Sequence, residues 1–547
     1  MQAECYPISM VPGTTKLFRD FAEVTAENAR LLRRWYPHEP FSMAWAKHAP
    51  ELSVEHRGQL ADALREQVIE FGGGETALAN VEKLRNGAAA VVTGQQVALF
   101  GGPLLTLLKA ATAVRKAQDA TGASGREHVP VFWLATEDHD LAEVDQVSLL
   151  TKQAVETIKL DLRADQPRPV GGIRVDDGSG ALTAALERAS ELLEWAPVSD
   201  CLREFYGAPD ATLASAFGRL LTRLFAKQGL VVMDASSRAF HALGAPVLRQ
   251  AIERAEELEA ALIARSEELV SAGYHAQVKV DSAMSLLFLI STNEAGEKVR
   301  LSLRRGAGDV WKAGKLELSS AELLAIVESE PERLSPNALL RAVFQDAILP
   351  TVAYVGGPAE VAYFAQSAVV YEKILGRVTP VLPRLSATLL EPAIAQTMAA
   401  HEVSLPQVFE AKTAGELAVR LGARAMPIEG KRKIAAVGNA MDAELGALTE
   451  YMTSMSADLG RAAGVSGSKM RYQMNRLRRM AAAFEAQKEA SLKKHATAIM
   501  LNVFPDGHLQ ERLLAGVGFV AKHGEGLVEL LVEHAGQECP GHRVISL

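Results

Sequence analysis

Glu137, Asp138, His139 and Asp140 put three carboxylates and an imidazole in consecutive positions, directly after the apolar run Val129–Ala135. One carboxylate could hold Mg²⁺ or a substrate ammonium, while the imidazole serves as a base or a hydrogen-bond donor. A solvated acidic loop capping the next element is the plainer reading, and neighbouring carboxylates that also bind amines do not call for a permanent metal site. Position favours chemistry. An earlier apolar run, Ala88–Val92, ends in Thr93, Gly94, Gln95 and Gln96, and a helix-period segment from Pro103 to Gln118 lies between the two runs. That is a βαβ unit. In open parallel sheets ligands sit outside the carboxyl ends of the strands, where the winding direction reverses, so both polar clusters fall on the chemical edge.

The turn TGQQVALFGGP brings Gly94, Gly101 and Gly102 together ahead of Pro103, a residue suited to the first helical position. Such a turn lets a phosphate or carboxylate approach backbone N–H groups at the positive end of a helix, although simple turn geometry explains the glycines equally well. Neither G-x-x-x-x-G-K-[ST] nor G-x-G-x-x-G occurs here. Lys109, two turns into the helix, reads as a solvated or snorkelling lysine unless it faces the crevice. Further on, SPNALLRAVFQD sets Asn337 and Arg341 one helical turn apart, and YVGGPAEVAYFAQ follows a predicted strand. In the latter, Gly356 and Gly357 admit close backbone approach, and Glu360, Tyr363 and Gln366 share a helix face. Arg384 and Ser386 follow another predicted strand. Polar exits converging on one sheet edge point to a small-molecule active site.

The elements that must position these groups form an α/β chain. GLVVMDAS (229–236), LPTVAYVGG (349–357) and VTPVLPR (378–384) supply three more short, doubly buried strands, giving a Rossmann-like parallel-sheet core over 1–390. Residues 14–86 read as a mostly helical buttress, and helices are expected from Ala211 to Lys227 and from Pro246 to Ala272. Inserts interrupt the core near 151–210, where TIKLDLR and GGIRV suggest an antiparallel excursion, and near 273–330, where MSLLFLI and KVRLSLRR flank the turn NEAGE. After Glu391 the chain turns helical through 391–547. Apolar residues recur at threes and fours from Ile434 to Leu459 and again from Met470 to Phe484, predicting an antiparallel coiled-coil hairpin over about 431–501 that reverses at GVSGS. Its methionine-rich stripes need cover, and a homodimer is expected to provide it.

The 547 residues exceed the span of one hydrophobic core, so more than one unit is expected. A formal net charge of −8 gives no global attraction for nucleic acid or anionic membrane. Cys5, Cys201 and Cys539 lie far apart without C-x-x-C spacing, which argues against a cysteine zinc site and against a disulfide framework and suits a reducing cytoplasm. Neither a secretory leader nor a membrane span is expected.

The stretches TGQQ-x-x-LF-x-GPL-x-T-x-x-K, VPVFW-x-x-EDHD, YV-x-GP-x-E-x-AY-x-AQ, PR-x-S-x-TLLE and FPDGHLQER together resemble the bacillithiol-biosynthesis cysteine-adding enzyme family. The resemblance runs in order from the first strand into the C-terminal helices. It implies a core similar to class I aminoacyl-tRNA synthetases and nucleotidylyltransferases, with connecting-peptide inserts and a C-terminal coiled coil. It also implies an ATP-dependent ligase, with Mg²⁺ as a possible companion, joining cysteine to glucosaminyl-malate in the last step of bacillithiol synthesis. The activated intermediate is left open between acyl-adenylate and acyl-phosphate. On this reading Gly94, Gln95 and Gln96 stand where the first class I signature would stand, without its histidines. Glu137 to Asp140 would hold an ammonium and remove its proton, and Asn337, Arg341 and Arg384 would meet phosphate or malate carboxylates. A ligase for another amino-acid and amine pair, and a non-catalytic nucleotide-binding scaffold, are the competing readings.

Overall fold

In the computed structural model, which describes residues 4–48, 50–488 and 490–547, the core is an all-parallel sheet. Its strands are β1 (Ala89–Gln95), β2 (His128–Leu134), β3 (Val231–Asp234), β4 (Thr351–Gly356) and β5 (Val381–Pro383), in the spatial order β5-β4-β1-β2-β3. All but the ends of these strands are buried, because helices cover both faces. Alternation sorts the side chains: Ala90, Val92, Val131 and Trp133 join the core beneath residues 54–85 and 238–271, whereas Val91, Phe132 and Leu134 face the opposite layer. Register is tight, with Val92 opposite both Val131 and Tyr354. The chain winds from β1 outward through β2 to β3 and then returns to the other side of β1, so the winding reverses between β1 and β4.

Between β1 and the helix α1 (Leu105–Ser124) the backbone is left-handed at Phe100, Gly101 and Gly102, with φ of 49°, 83° and 69°. That reversal consumes Pro103, which bridges to Ala515 instead of opening the helix as expected. Gly94 is required for a different reason. A Cβ there would lie 2.8 Å from the Trp133 carbonyl oxygen.

The second insert forms the expected hairpin, Met284–Thr292 against Lys298–Arg305, within a five-stranded sheet that also takes in Leu334–Pro336. Elsewhere the structure redraws the expectations. The strand Val155–Lys159 pairs with Gln146–Leu150, while the GGIRV segment makes only a 3-10 turn and a single bridge. The long charged helix is two, Arg238–Glu253 and Ala255–Ser271, with Pro246 inside the first.

Helices α2 (Ala338–Ile348) and α3 (Pro358–Leu375) flank β4, and α4 (Ile428–Met455) with α5 (Ala457–Lys488) forms the coiled-coil hairpin. The hairpin reverses at Ser456, whose backbone is extended, and not at GVSGS. Those glycines lie inside α5, where a Cβ on Gly467 would meet Leu445 of α4 only in ordinary van der Waals contact and one on Gly464 would meet nothing within 4 Å. They continue the helix and do not reverse it.

Cys5 and Cys539 are joined by a disulfide, contrary to the expectation from spacing. Spacing failed because Glu4–Tyr6 pairs antiparallel with His542–Ser546, which in turn runs parallel to Ser386–Leu390. No helix among the described residues is long and apolar enough to cross a membrane.

Candidate active site

A cleft of about 630 Å³ opens where the five strands end at their carboxyl edge. β1 contributes Gly94 and Gln95, β2 is followed by Glu137, Asp138 and His139, β3 by Ala235 and Ser236, β4 by Gly357 and Glu360, and β5 by Arg384. Gln96, Lys109, Asn337, Arg341 and Tyr363 also line it. The expected convergence is therefore present, with Gly357 at the wall in place of Gly356.

At the winding reversal the expected solvated lysine is a buried one. Lys109 Nζ lies 2.6 Å from Glu360 Oε2 and donates to the Gly94 carbonyl at 2.7 Å and to Gln95 Oε1 at 2.8 Å. Glu360 also accepts from the Gly357 N–H at 2.7 Å and from the Tyr354 hydroxyl at 2.6 Å. Burial alone would raise the Glu360 carboxyl, but the Lys109 ammonium and the Gly357 N–H bring it below its usual range. Both charges are thus spent on tying β1 to α3. Neither is free for substrate.

The two glutamines of TGQQ diverge. Gln95 goes to Lys109, whereas Gln96 Nε2 donates to Asp138 Oδ2 at 2.6 Å and so links the first turn to the acidic cluster. Burial would raise the Asp138 carboxyl, yet hydrogen bonds from the His139 backbone N–H and Gln96 Nε2, with Arg300 nearby, hold it below the ordinary carboxylate range. Glu137 is backed by His241, a fully buried histidine whose Nε2 lies 3.1 Å from Glu137 Oε1 and whose Nδ1 lies 3.1 Å from the Pro331 carbonyl. Burial disfavours the charged ring, but Glu137 outweighs it and raises the His241 pKa. Glu143, from the short helix after the cluster, completes the acidic end of the cleft. Among the described residues no group of three or more His, Cys, Asp or Glu side chains could hold a metal ion.

The other end carries donors. Arg341 donates to the Tyr363 hydroxyl at 2.8 Å and to Gln345 Oε1 at 3.1 Å, and no carboxylate among the described residues pairs with it. Asn337 caps α2 through Oδ1, which accepts from Leu339 N and Leu340 N, leaving its buried Nδ2 without a partner among the described residues. A buried amide nitrogen with two unused donors is costly unless a ligand satisfies it. Arg512, from FPDGHLQER, closes this wall.

Several expected site residues have other work. Asp140 caps the helix Leu141–Val144 and does not line the cleft. Thr93 donates to the Val355 carbonyl and Gly356 accepts from Arg384 N, so both stitch the sheet behind the rim. Gly102 accepts from Gly516 N on the C-terminal side. Gln366, expected on the face of Glu360 and Tyr363, instead clamps the Val278 backbone. Arg384 donates to Glu511 Oε1 at 2.6 Å, a pair almost wholly buried, and so is unavailable as an anion hook through that nitrogen.

Ser386 turns toward the same carboxylate. Its Oγ donates to Glu511 Oε1 at 3.1 Å, and therefore accepts from His542 Nδ1–H at 2.8 Å; His542 Nε2 then accepts from the Thr388 hydroxyl at 2.8 Å. The ring is neutral with both nitrogens satisfied, and burial pushes its pKa down to about 4. An unfolded histidine titrates near ~6.5, so the stability this ring confers is complete above ~6.5 and declines as pH falls toward 4. The loss expected is about 3 kcal/mol. Denaturation midpoints of wild type and His542→Gln between pH 7 and 4.5 check it; parallel curves for the two proteins would remove His542 as the cause.

The sequence reasoning overlooked Arg300, Phe288, His241, Tyr354 and Arg512. Tyr354 and Arg512 had a visible signal, since they open YVGGPAEVAYFAQ and close FPDGHLQER.

Residues 1–385 match the family described as "Bacillithiol biosynthesis BshC, N-terminal Rossmann-like domain", and residues 387–547 match its "C-terminal coiled-coil domain". This chain belongs to the BshC family. Relatives within the family span its whole length. The "Putative cysteine ligase BshC" of Koribacter versatilis is 41% identical over 550 residues, and that of Solibacter usitatus 35% over 554, each covering 100% of both chains. The protein of the same name from Chlorobaculum tepidum is 30% identical, covering 98% of this chain and 97% of its own. The family's two descriptions meet within Arg384–Ala387, where the chain passes from the parallel sheet to the sheet formed by its own termini.

Proposed function

We propose that this chain is a cysteine ligase of bacillithiol biosynthesis, forming an amide between the cysteine carboxyl and the amine of glucosaminyl-malate at the expense of ATP. The observation that carries the reading is the division of one cleft into an acidic end, with Glu137, Asp138 and Glu143, and a donor end, with Asn337, Arg341 and Arg512. Substrates bearing an ammonium on one side and carboxylate or phosphate on the other fit that division. The relatives' names add the reaction class.

Condensing a free carboxylate with an amine in water is uphill, so ATP activates the carboxyl. Its phosphates are assigned to Arg341 and Arg512 beside the N-terminus of α3. Mg²⁺ would come bound to those phosphates and would neutralise part of their charge. Asp138, kept ionised, accepts the ammonium. Cytoplasmic location and independence from nucleic acid belong to the same reading.

The test is purified protein with ATP, Mg²⁺, cysteine and glucosaminyl-malate, followed by mass spectrometry. Bacillithiol is expected, with AMP marking an acyl-adenylate and ADP an acyl-phosphate. Nucleotide binding without product from any amine and amino-acid pair would overturn the enzymatic reading, and product only with another pair would overturn the substrate.

The hairpin supports a homodimer. Along it Val437, Leu448, Tyr451, Met455, Leu477 and Met480 are exposed, whereas Leu445 and Met474 fill the seam between α4 and α5. A second copy that covers the outer stripe removes this apolar surface from water. Light scattering should find a dimer at micromolar concentration and a monomer for Leu448→Glu/Leu477→Glu; a monomeric wild type, or an unchanged dimer in the variant, sinks the assignment.

A further inference from the structure

Of the second-insert residues that line the cleft, Val278, Met284, Phe288 and Arg300, only the last carries a charge. Arg300, in the strand Lys298–Arg305, is buried, and its Nη1 lies 3.0 Å from His139 Nδ1. The rest of its guanidinium is fixed: Nε donates to Ser335 Oγ at 3.3 Å, Nη2 donates to the Pro336 carbonyl at 3.1 Å, and the plane lies 3.7 Å from the Phe288 ring centroid. Ser335 and Pro336 lead directly into Asn337, so this one group braces the acidic wall against the donor wall.

A guanidinium has only donors and does not lose its proton in proteins. The contact at 3.0 Å therefore requires His139 Nδ1 to be the acceptor, which leaves the ring proton on Nε2. Asp138 Oδ1, 3.5 Å from the same Nδ1, would draw a proton there, but it is more distant and already accepts from the His139 backbone N–H at 2.8 Å. We infer that Arg300 is a positioning residue that fixes His139 as a neutral Nε2–H hydrogen-bond donor, with Nδ1 blocked as a base. Resting on the ligase reading above, the oxygen that receives this donor is the acyl or phosphoryl oxygen of the activated carboxyl, where negative charge develops during transfer. The insert is then part of the chemical device and not merely a rim.

The full chain labelled with ¹⁵N-histidine reports the tautomer directly in long-range ¹H–¹⁵N correlation spectra, with the His139 signal assigned by its loss in His139→Gln. Wild type should show the proton on Nε2. In Arg300→Met, with Asp138 the remaining partner of Nδ1, the proton should move to Nδ1, and kcat should fall by about 10²-fold, the scale for a lost oxyanion donor, with little change in KM for cysteine. Arg300→Lys keeps a charged donor and should keep the Nε2–H form. A wild-type spectrum with the proton on Nδ1 overturns the inference whether or not the variants fold, and so does an unchanged tautomer in Arg300→Met. The spectrum needs no turnover. Failure of the ligase assay would therefore leave the tautomer standing, and failure of the tautomer would leave the ligase standing.

Discussion

Replacing Lys109 with methionine should lower stability by about 3 to 5 kcal/mol and abolish activity, the largest effect expected of any single change in the cleft. The Lys109 side chain is 5% exposed and Glu360 15%, so the surviving carboxylate cannot recover its lost partner from water. Two neutral acceptors, the Gly94 carbonyl and Gln95 Oε1, lose their donor at the same time. These three contacts span β1 and the start of α3, so the winding reversal itself would splay. The decisive comparison is with Lys109→Met/Glu360→Gln. Removing both charges should return part of the lost stability, because most of the cost of the single change is an unpaired buried charge and not a missing attraction. Denaturation of the three variants beside wild type measures this. A Lys109→Met protein as stable as wild type would show that the pair is not the tie described here.

Asp138→Asn should lose activity by about 10²-fold or more, yet leave the fold intact. Its carboxylate accepts from Gln96 and from the His139 backbone, but it lies on the cleft surface and supports no core contact. An asparagine can keep one of those acceptor contacts while losing the negative charge that an ammonium requires. The carboxyl is held well below the usual range, so its contribution to stability is present above the unfolded value near ~3.9 and is lost only as pH falls far into acid. Wild-type activity should accordingly show no limb from this group at neutral pH. Steady-state rates and a thermal melt of the variant decide the matter. Near-wild-type turnover would return the acidic cluster to a solvated cap, and an unfolded variant would make its role structural.

The parallel core was legible because its strands are buried on both faces and so read as short apolar runs, each broken by a polar cluster. Position at the strand ends then brought Gln95, Glu137, His139 and Arg384 to one cleft. What a polar residue does once there was far less legible. Lys109 and Arg384 look like substrate hooks but are neutralised by Glu360 and Glu511, residues 251 and 127 positions away in sequence. Asn337 and Asp140 spend side-chain oxygens on helix caps, a local task that spacing alone does not distinguish from ligand binding. Glycine was ambiguous for a related reason. In GVSGS it is carried inside a continuous helix, and the reversal fell instead at Ser456, where no strong breaker marks the chain. Arg300 was hidden because its strand alternates cleanly in sequence, Val299, Leu301 and Leu303 against Arg300, Ser302 and Arg304, which puts Arg300 on the polar face although it is buried.

The small sheet formed by the chain's two ends also sets a timetable. Its first strand, Glu4–Tyr6, is made long before its partner His542–Ser546, since the bonded cysteines are 534 positions apart. At about 5 to 20 residues per second, the first strand waits roughly 30 to 100 s with an unpaired edge. The Glu511, Ser386 and His542 network beside Arg384 waits with it. The parallel sheet can form first, but the wall of the cleft that Arg384 supports closes only once the residues through His542 have been made.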